Sequence, residues 1–179
     1  MLQSSGTVRK LYHPLSKVLY IDFEGSLSRG IREIGYVVTK DEKIYSSKEQ
    51  TGSNILESLQ KLQSDNYSYI VAHNSHIEKN LIKKYFPYDL DKKTGAIRKH
   101  KWIDTLNVYR ALYPGLNSYD LKTLMKIFVE EKMIRQEAEK RCSSNKRDFH
   151  HSLFDALCVY FLIKRIEKKI NLKQFQSSG

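Results

Sequence analysis

The stretch Val18-Leu19-Tyr20-Ile21-Asp22-Phe23-Glu24, followed by Gly25-Ser26, decides how this chain folds. It has the composition of a buried β-strand, an apolar run with β-branched and aromatic residues that glycine ends. Two carboxylates interrupt it. Strand side chains alternate between faces, so Asp22 and Glu24 point to the same one. Like charges on one face of a central strand repel and are poorly solvated. A divalent cation between them relieves the repulsion, and so does separate pairing of each acid with an Arg or Lys. Both readings are open for this stretch taken alone.

Around it lie 179 residues, 40% apolar and 11% aromatic, enough for one globular domain with a full core. No repeat, low-complexity block or linker divides them. The expected layout is a loose lead-in over 1–15, a single domain over 16–170 and a tail over 171–179. Residues 1–10 are polar and lack the apolar centre of a signal peptide, and no apolar run approaches the roughly 20 residues of a membrane helix. A cytoplasmic location without a membrane partner is therefore expected. Cys142 and Cys158 are read as reduced thiols. The net charge of +11, from 31 Lys and Arg against 20 Asp and Glu, favours a polyanionic partner, most simply nucleic acid.

Working outward, residues 31–39 and 43–47 carry strand formers close behind the first strand, which predicts an antiparallel meander. The period then changes. Asn54-x-x-Glu57 resembles a capping box, and Ile55, Leu56, Leu59 and Leu62 follow at helical spacing. Tyr69-Ile70-Val71-Ala72 reads as a fourth strand, and His73-Asn74-Ser75 as the start of a helix running to about 86. Residues 87–101 form a long basic connection with Lys92, Lys93, Arg98, Lys99 and Lys101. A short fifth strand is expected at 101–104, then helices at 105–112, 119–129 and 130–141, a polar break at 143–149, and a last helix at 151–169. Three strands followed by alternating helices and strands predict an α/β fold, a mixed five-stranded sheet flanked by helices.

Asp155 stands in Leu153-Phe154-Asp155-Ala156-Leu157-Cys158-Val159, apolar on nearly every helical side, so it is buried and needs a strong partner. A metal shared with Asp22 and Glu24 supplies one; a buried Arg or a helix-start interaction is the alternative. Glu78 has Leu81 and Ile82 at three and four residues on, which turns it towards the sheet, although Ser75-x-x-Glu78 also fits a capping box. His150 lies just before the last helix, where a turn can bring its imidazole over the same place. An imidazole beside a metal-bound water suits general-base work, with His151 as its neighbour and competitor. A zinc set of His73, His76, Cys142 and His151 lacks close ligand spacing.

Asp22-x-Glu24, His73-Asn74-x-x-x-Glu78 and His150-x-x-x-x-Asp155 together resemble the DEDDh 3′-5′ exonucleases, the DnaQ-like family of RNase H-like fold. Ile31-Arg32-Glu33-Ile34-Gly35, Ile103-Asp104-Thr105 and Tyr119-x-Leu121-x-x-Leu124 fit the same pattern. The likeness spans about residues 19–166. It departs at the third acid, normally Asp and here Glu78, and at Gly25-Ser26-Leu27, where Thr-Thr-Gly is common.

The resemblance implies two divalent cations, Mg2+ or Mn2+, held by Asp22, Glu24, Asp155 and Glu78, with His150 as general base. It implies hydrolysis of a nucleic acid from its 3′ end, single-stranded by preference, to nucleoside 5′-monophosphates. Phe23, Gly25, Ser26 and Asn74 would flank the terminal nucleotide, although strand alternation alone assigns Phe23 to the core. DNA and RNA are not distinguished. The family includes both proofreading subunits and stand-alone enzymes, so a polymerase partner stays open. The rival reading is a non-catalytic nucleic-acid-binding or polymerase-associated module with a degenerate site.

Overall fold

β1 (Lys17–Ser26) lies inside a six-stranded sheet of order β3-β2-β1-β4-β5-β6. The computed structural model describes residues 17–85 and 100–178. The lead-in and most of the basic connection at 87–101 lie outside them. β2 (Gly30–Lys40) and β3 (Lys43–Thr51) complete the expected antiparallel meander. β4 (Tyr69–Ala72) and β5 (Lys101–Asp104) then add parallel to β1, so the C-terminal ends of these three strands share one edge. The expected five strands are in fact six. β6 (Gln176–Ser178), from the stretch left as a tail, pairs antiparallel with β5, after a short 3-10 turn at Leu172–Phe175. Three polar residues carry no apolar strand signal, and the backbone ladder alone recruits them.

Alternation along β1 and β2 sorts the side chains into two layers. Leu19, Ile21, Phe23, Ile34, Tyr36 and Val38 pack with α1 (Asn54–Ser64) and α2 (His76–Tyr85). Val18, Tyr20 and Val37 face α6 (Ser152–Ile166), a helix buried on almost every side, as its apolar sequence requires. α3 (Thr105–Leu112), α4 (Leu121–Phe128) and α5 (Glu131–Arg141) belong to that second layer. Asp22 and Glu24 continue the alternation of Val18 and Tyr20, so they point towards α6.

Two local expectations change. The capping box at Asn54 does not form, since the N-cap is Ser53, in a helical conformation and without a side-chain cap bond. α2 begins at His76 rather than His73. Asn74 takes a positive φ of 60°, a left-handed turn that asparagine tolerates, and this delays the helix. Both cysteines are free and buried. Among the described residues, no helix is long and apolar enough to cross a membrane.

Candidate metal-binding cleft

A hydrogen-bonded carboxylate that the sequence did not single out sets α6 in place. Glu33, on the β2 face that meets α6, accepts bonds from the backbone N–H of Ser152 at 2.9 Å and from its hydroxyl at 2.8 Å. It thereby satisfies the first turn of the helix. Its other oxygen pairs with Lys146, which also reaches Glu49 on β3. Lys146, whose bonds hold the Glu33 carboxyl below the usual carboxylate range against the effect of burial, belongs to the loop that leads into His150. Glu33→Ala is expected to cost about 3 kcal/mol, because it strips a buried helix start and one arm of the Lys146 bridge together. Urea unfolding measures this, and a loss under about 1 kcal/mol would show that the bridge is slack.

Helix and sheet meet very closely at Gly35, which pairs with Asp22 across the β1–β2 ladder. A Cβ on Gly35 would overlap backbone atoms of Ser152 and Leu153. That approach carries the first turn of α6 onto β1. Gly25 serves the other end of the cleft. It follows a bulge after Glu24, and a Cβ there would strike the carbonyl of Gly30. Ser26 is spent on the hairpin turn, accepting the Arg29 N–H at 3.1 Å.

In this frame one ligand atom each of Glu24, His150 and Asp155 falls within 4.8 Å of the others. Asp155 is buried and its Oδ2 accepts the backbone N–H of His150 at 3.0 Å, so the helix-start alternative is realised for one oxygen. Its Oδ1 is buried without a hydrogen-bond partner among the described residues, and the same holds for Oε2 of Glu78. Burial pushes the Asp155 carboxyl up to about 7, helped by the charges of Glu24 and Asp148 and opposed by the His150 N–H. Glu78 is pushed up to about 8 by burial, with Asp104 adding to the rise and its own backbone N–H opposing it. Asp22 keeps a narrow opening to solvent but is deeply enclosed. Burial and then the charges of Asp155, Glu78 and Glu24 raise it well above the ordinary range. Among the described residues no lysine or arginine pairs with Asp22. Glu24 does meet one, Arg32 at 3.4 Å, a mostly exposed contact of little strength.

These features suit a hard divalent cation. Oxygen donors predominate, an imidazole adjoins them, and two buried carboxylate oxygens have no hydrogen-bond partner among the described residues. Of the expected acids, Glu24 and Asp155 converge with His150; Asp22 and Glu78 lie outside that close group, near enough for Asp22 to feel the charges of Glu24, Glu78 and Asp155. His150 is exposed and has a φ of 69°, a turn that directs its ring back over Asp155. His151 is drawn away by Asp148 at 3.3 Å. The zinc set of His73, His76, Cys142 and His151 is not brought together among the described residues; His73 bonds to Thr105 and Cys142 is buried at the end of α5.

Asp104 organises the strand ends beside the cleft. It accepts the backbone N–H groups of Asn74 and Ser75 at 3.0 and 2.9 Å, the Ser75 hydroxyl at 3.1 Å and the Leu106 N–H at 2.9 Å. The Ser75 N–H is thus taken, so the capping-box alternative for Glu78 is not what forms. Phe23, expected to flank a nucleotide, is only 6% exposed and packs in the α1–α2 layer, on the face opposite Asp22. Asn74 is exposed at the rim.

No protein-family model matches the sequence, and no curated protein matches it. Solved structures do resemble its fold. Exonuclease X in complex with 5′-overhanging duplex DNA superposes with a TM-score of 0.56 at 17% identity, over 88% of this chain and 96% of that one. The zinc-bound E. coli exonuclease I complex with single-stranded DNA gives 0.61 at 15% identity, over 90% of this chain and 42% of that one. Apo exonuclease I gives 0.59 at 16% identity, over 86% and 42%. This chain thus spans about two-fifths of exonuclease I and nearly all of exonuclease X. At such identities the likeness is one of architecture, and the architecture is the RNase H-like fold of these exonucleases.

Proposed function

We propose that this protein is a divalent-cation-dependent 3′-5′ exonuclease of the DEDDh type, with Glu78 in the place of the third aspartate. The observation that carries the reading is the meeting of Glu24, His150 and Asp155 within 4.8 Å, beside an enclosed Asp22 and two buried carboxylate oxygens without a hydrogen-bond partner among the described residues. Acids placed this way destabilise the protein by mutual repulsion, and bound cations relieve it. Asp22, Glu24 and Asp155 would hold two Mg2+ or Mn2+ ions, with Glu78 completing the set. Bound there, such ions supply Lewis acidity to an attacking water and to the departing 3′ oxygen.

The chain's own groups do the rest. His150 takes a proton from the water at an imidazole nitrogen. Its exposure and its backbone tie to Asp155 suit that transfer. The water oxygen bonds to the phosphorus of the last phosphodiester as the bond to the 3′ oxygen of the preceding nucleotide breaks. The products are a nucleoside 5′-monophosphate and a shortened strand, whose 3′ oxygen takes up a proton. Gly25 and the hairpin it permits bring backbone close to the cleft, where a terminal nucleotide can be held. The net charge of +11 favours the polyanionic substrate. Exonucleases X and I, of similar fold, were solved with duplex and single-stranded DNA.

A 5′-labelled single-stranded oligonucleotide incubated with Mn2+ tests the proposal. A ladder shortening one nucleotide at a time from the 3′ end, abolished by EDTA, is expected. An intact strand with retarded mobility would instead assign the chain to the non-catalytic binders.

A further inference from the structure

Beside the acidic cleft lies a second cavity, of about 500 Å3, at the C-terminal ends of β4 and β5. His73, Asn74, Arg110, Asn117, Tyr119 and Asp120 contribute to its wall. None of them belongs to the cation-binding set. We propose that this cavity receives the penultimate nucleotide of a single-stranded 3′ end, with the Arg110 guanidinium on its phosphate. The proposal rests on the nucleic-acid reading of the cleft.

Position is the first support. β1, β4 and β5 are parallel neighbours, so β5 lies two strand spacings, about 10 Å, from the strand that carries Asp22. A strand whose last residue sits at Asp22 and Glu24 passes this cavity next. Construction is the second. Arg110 is exposed and its guanidinium lies 5.6 Å from the centre of the Tyr119 ring, a stack that holds the planar fork in place. The Tyr119 hydroxyl donates to the Tyr113 carbonyl at 2.6 Å, fixing that ring in turn. His73 bonds to Thr105 at 2.9 Å and to the backbone of Tyr119, and burial lowers its affinity for a proton, so it is a rigid, neutral wall.

Charge is the third. The one acid of the cavity, Asp120, is turned aside. It caps α4 through the Thr123 N–H at 2.8 Å and also accepts from the Ser118 and Thr123 hydroxyls. Those bonds hold its carboxyl down at about 2. Asp120 thus stays ionised with both oxygens engaged by Ser118 and the start of α4, and Arg110 is the one lysine or arginine in the cavity wall among the described residues. A guanidinium fork there matches a phosphate, and the amides of Asn74 and Asn117 offer both donors and acceptors to a base edge.

The test compares a ligand that reaches the cavity with one that does not. Binding of a fluorescent single-stranded oligothymidylate and of thymidine 5′-monophosphate is measured in Ca2+, for wild type, Arg110→Met and Tyr119→Leu. Arg110→Met is expected to weaken oligonucleotide binding about tenfold, with the mononucleotide unchanged. Tyr119→Leu should do the same to a lesser degree. Oligonucleotide binding untouched by Arg110→Met overturns the assignment, as does an equal loss for both ligands. The exonuclease reading is judged separately by the shortening ladder. A protein that does not shorten the strand, yet loses oligonucleotide binding alone on Arg110→Met, keeps this cavity and loses that reading.

Discussion

Asp22→Asn is expected to remove hydrolysis, by about a thousandfold or more, while making the metal-free protein more stable above neutral pH. Both effects share one cause. Asp22, Asp155 and Glu78 have carboxyls raised in the folded protein, Asp155 to about 7 and Glu78 to about 8. In the unfolded chain the same groups ionise near pH 4. Between about pH 4 and 8 the folded state therefore keeps protons that the unfolded state has lost, and stability falls as pH rises through that window. Each unit of displacement corresponds to about 1.4 kcal/mol, so the fall is large. Asparagine at this position removes one of these three raised acids and relieves its neighbours.

Thermal melts in EDTA at about pH 5.5 and about pH 8.5 check this; the wild type should melt lower at the higher pH and the variant should lose much of that difference. Mn2+ at the higher pH should raise the wild-type melting temperature well above that of the variant's gain. A variant that both cleaves normally and melts lower would make Asp22 a structural residue.

Gly35→Ala is expected to be the most damaging single-methyl change in the described chain, costing about 3 kcal/mol or more. The added carbon would meet the backbone of Ser152 and Leu153, which cannot rotate away as a side chain can. α6 would have to lift from β2. That movement breaks the bonds from Ser152 to Glu33 and carries Asp155 away from Asp22 and Glu24. Activity should therefore fall even in a fraction that stays folded. Chemical denaturation and the oligonucleotide assay, run together, separate these losses. A folded, active variant with unchanged denaturation midpoint would mean that the helix sits further from the sheet.

Much of this arrangement is written in local pattern. The alternation at Asp22 and Glu24 predicts their shared face, and the unbroken apolar surround of Asp155 predicts its burial. The antiparallel meander and the order of later helices follow from periodicity. What stays hidden depends on partners distant in the chain. Glu33 looks like one charge in a strand until Ser152 arrives beside it, more than a hundred residues later. Gly35 looks like a weak strand residue, and only the helix crossing it reveals the need for a missing side chain. Asp104, within an Ile-Asp-Thr signal, gives no hint that Asn74 and Ser75 will donate to it. The sixth strand is polar and short, and an edge ladder can take such residues because it asks only for backbone.

Ala72 stands opposite Asp104 in the parallel pair of β4 and β5, which sets the carboxylate level with the amides of Asn74 and Ser75. A slip of one residue would send that side chain to the other side of the sheet and leave four donors unanswered. Asp104 thus acts as an alignment pin in the folded sheet, tying the frame of the last parallel joint to four donors that a four-residue strand alone would not specify.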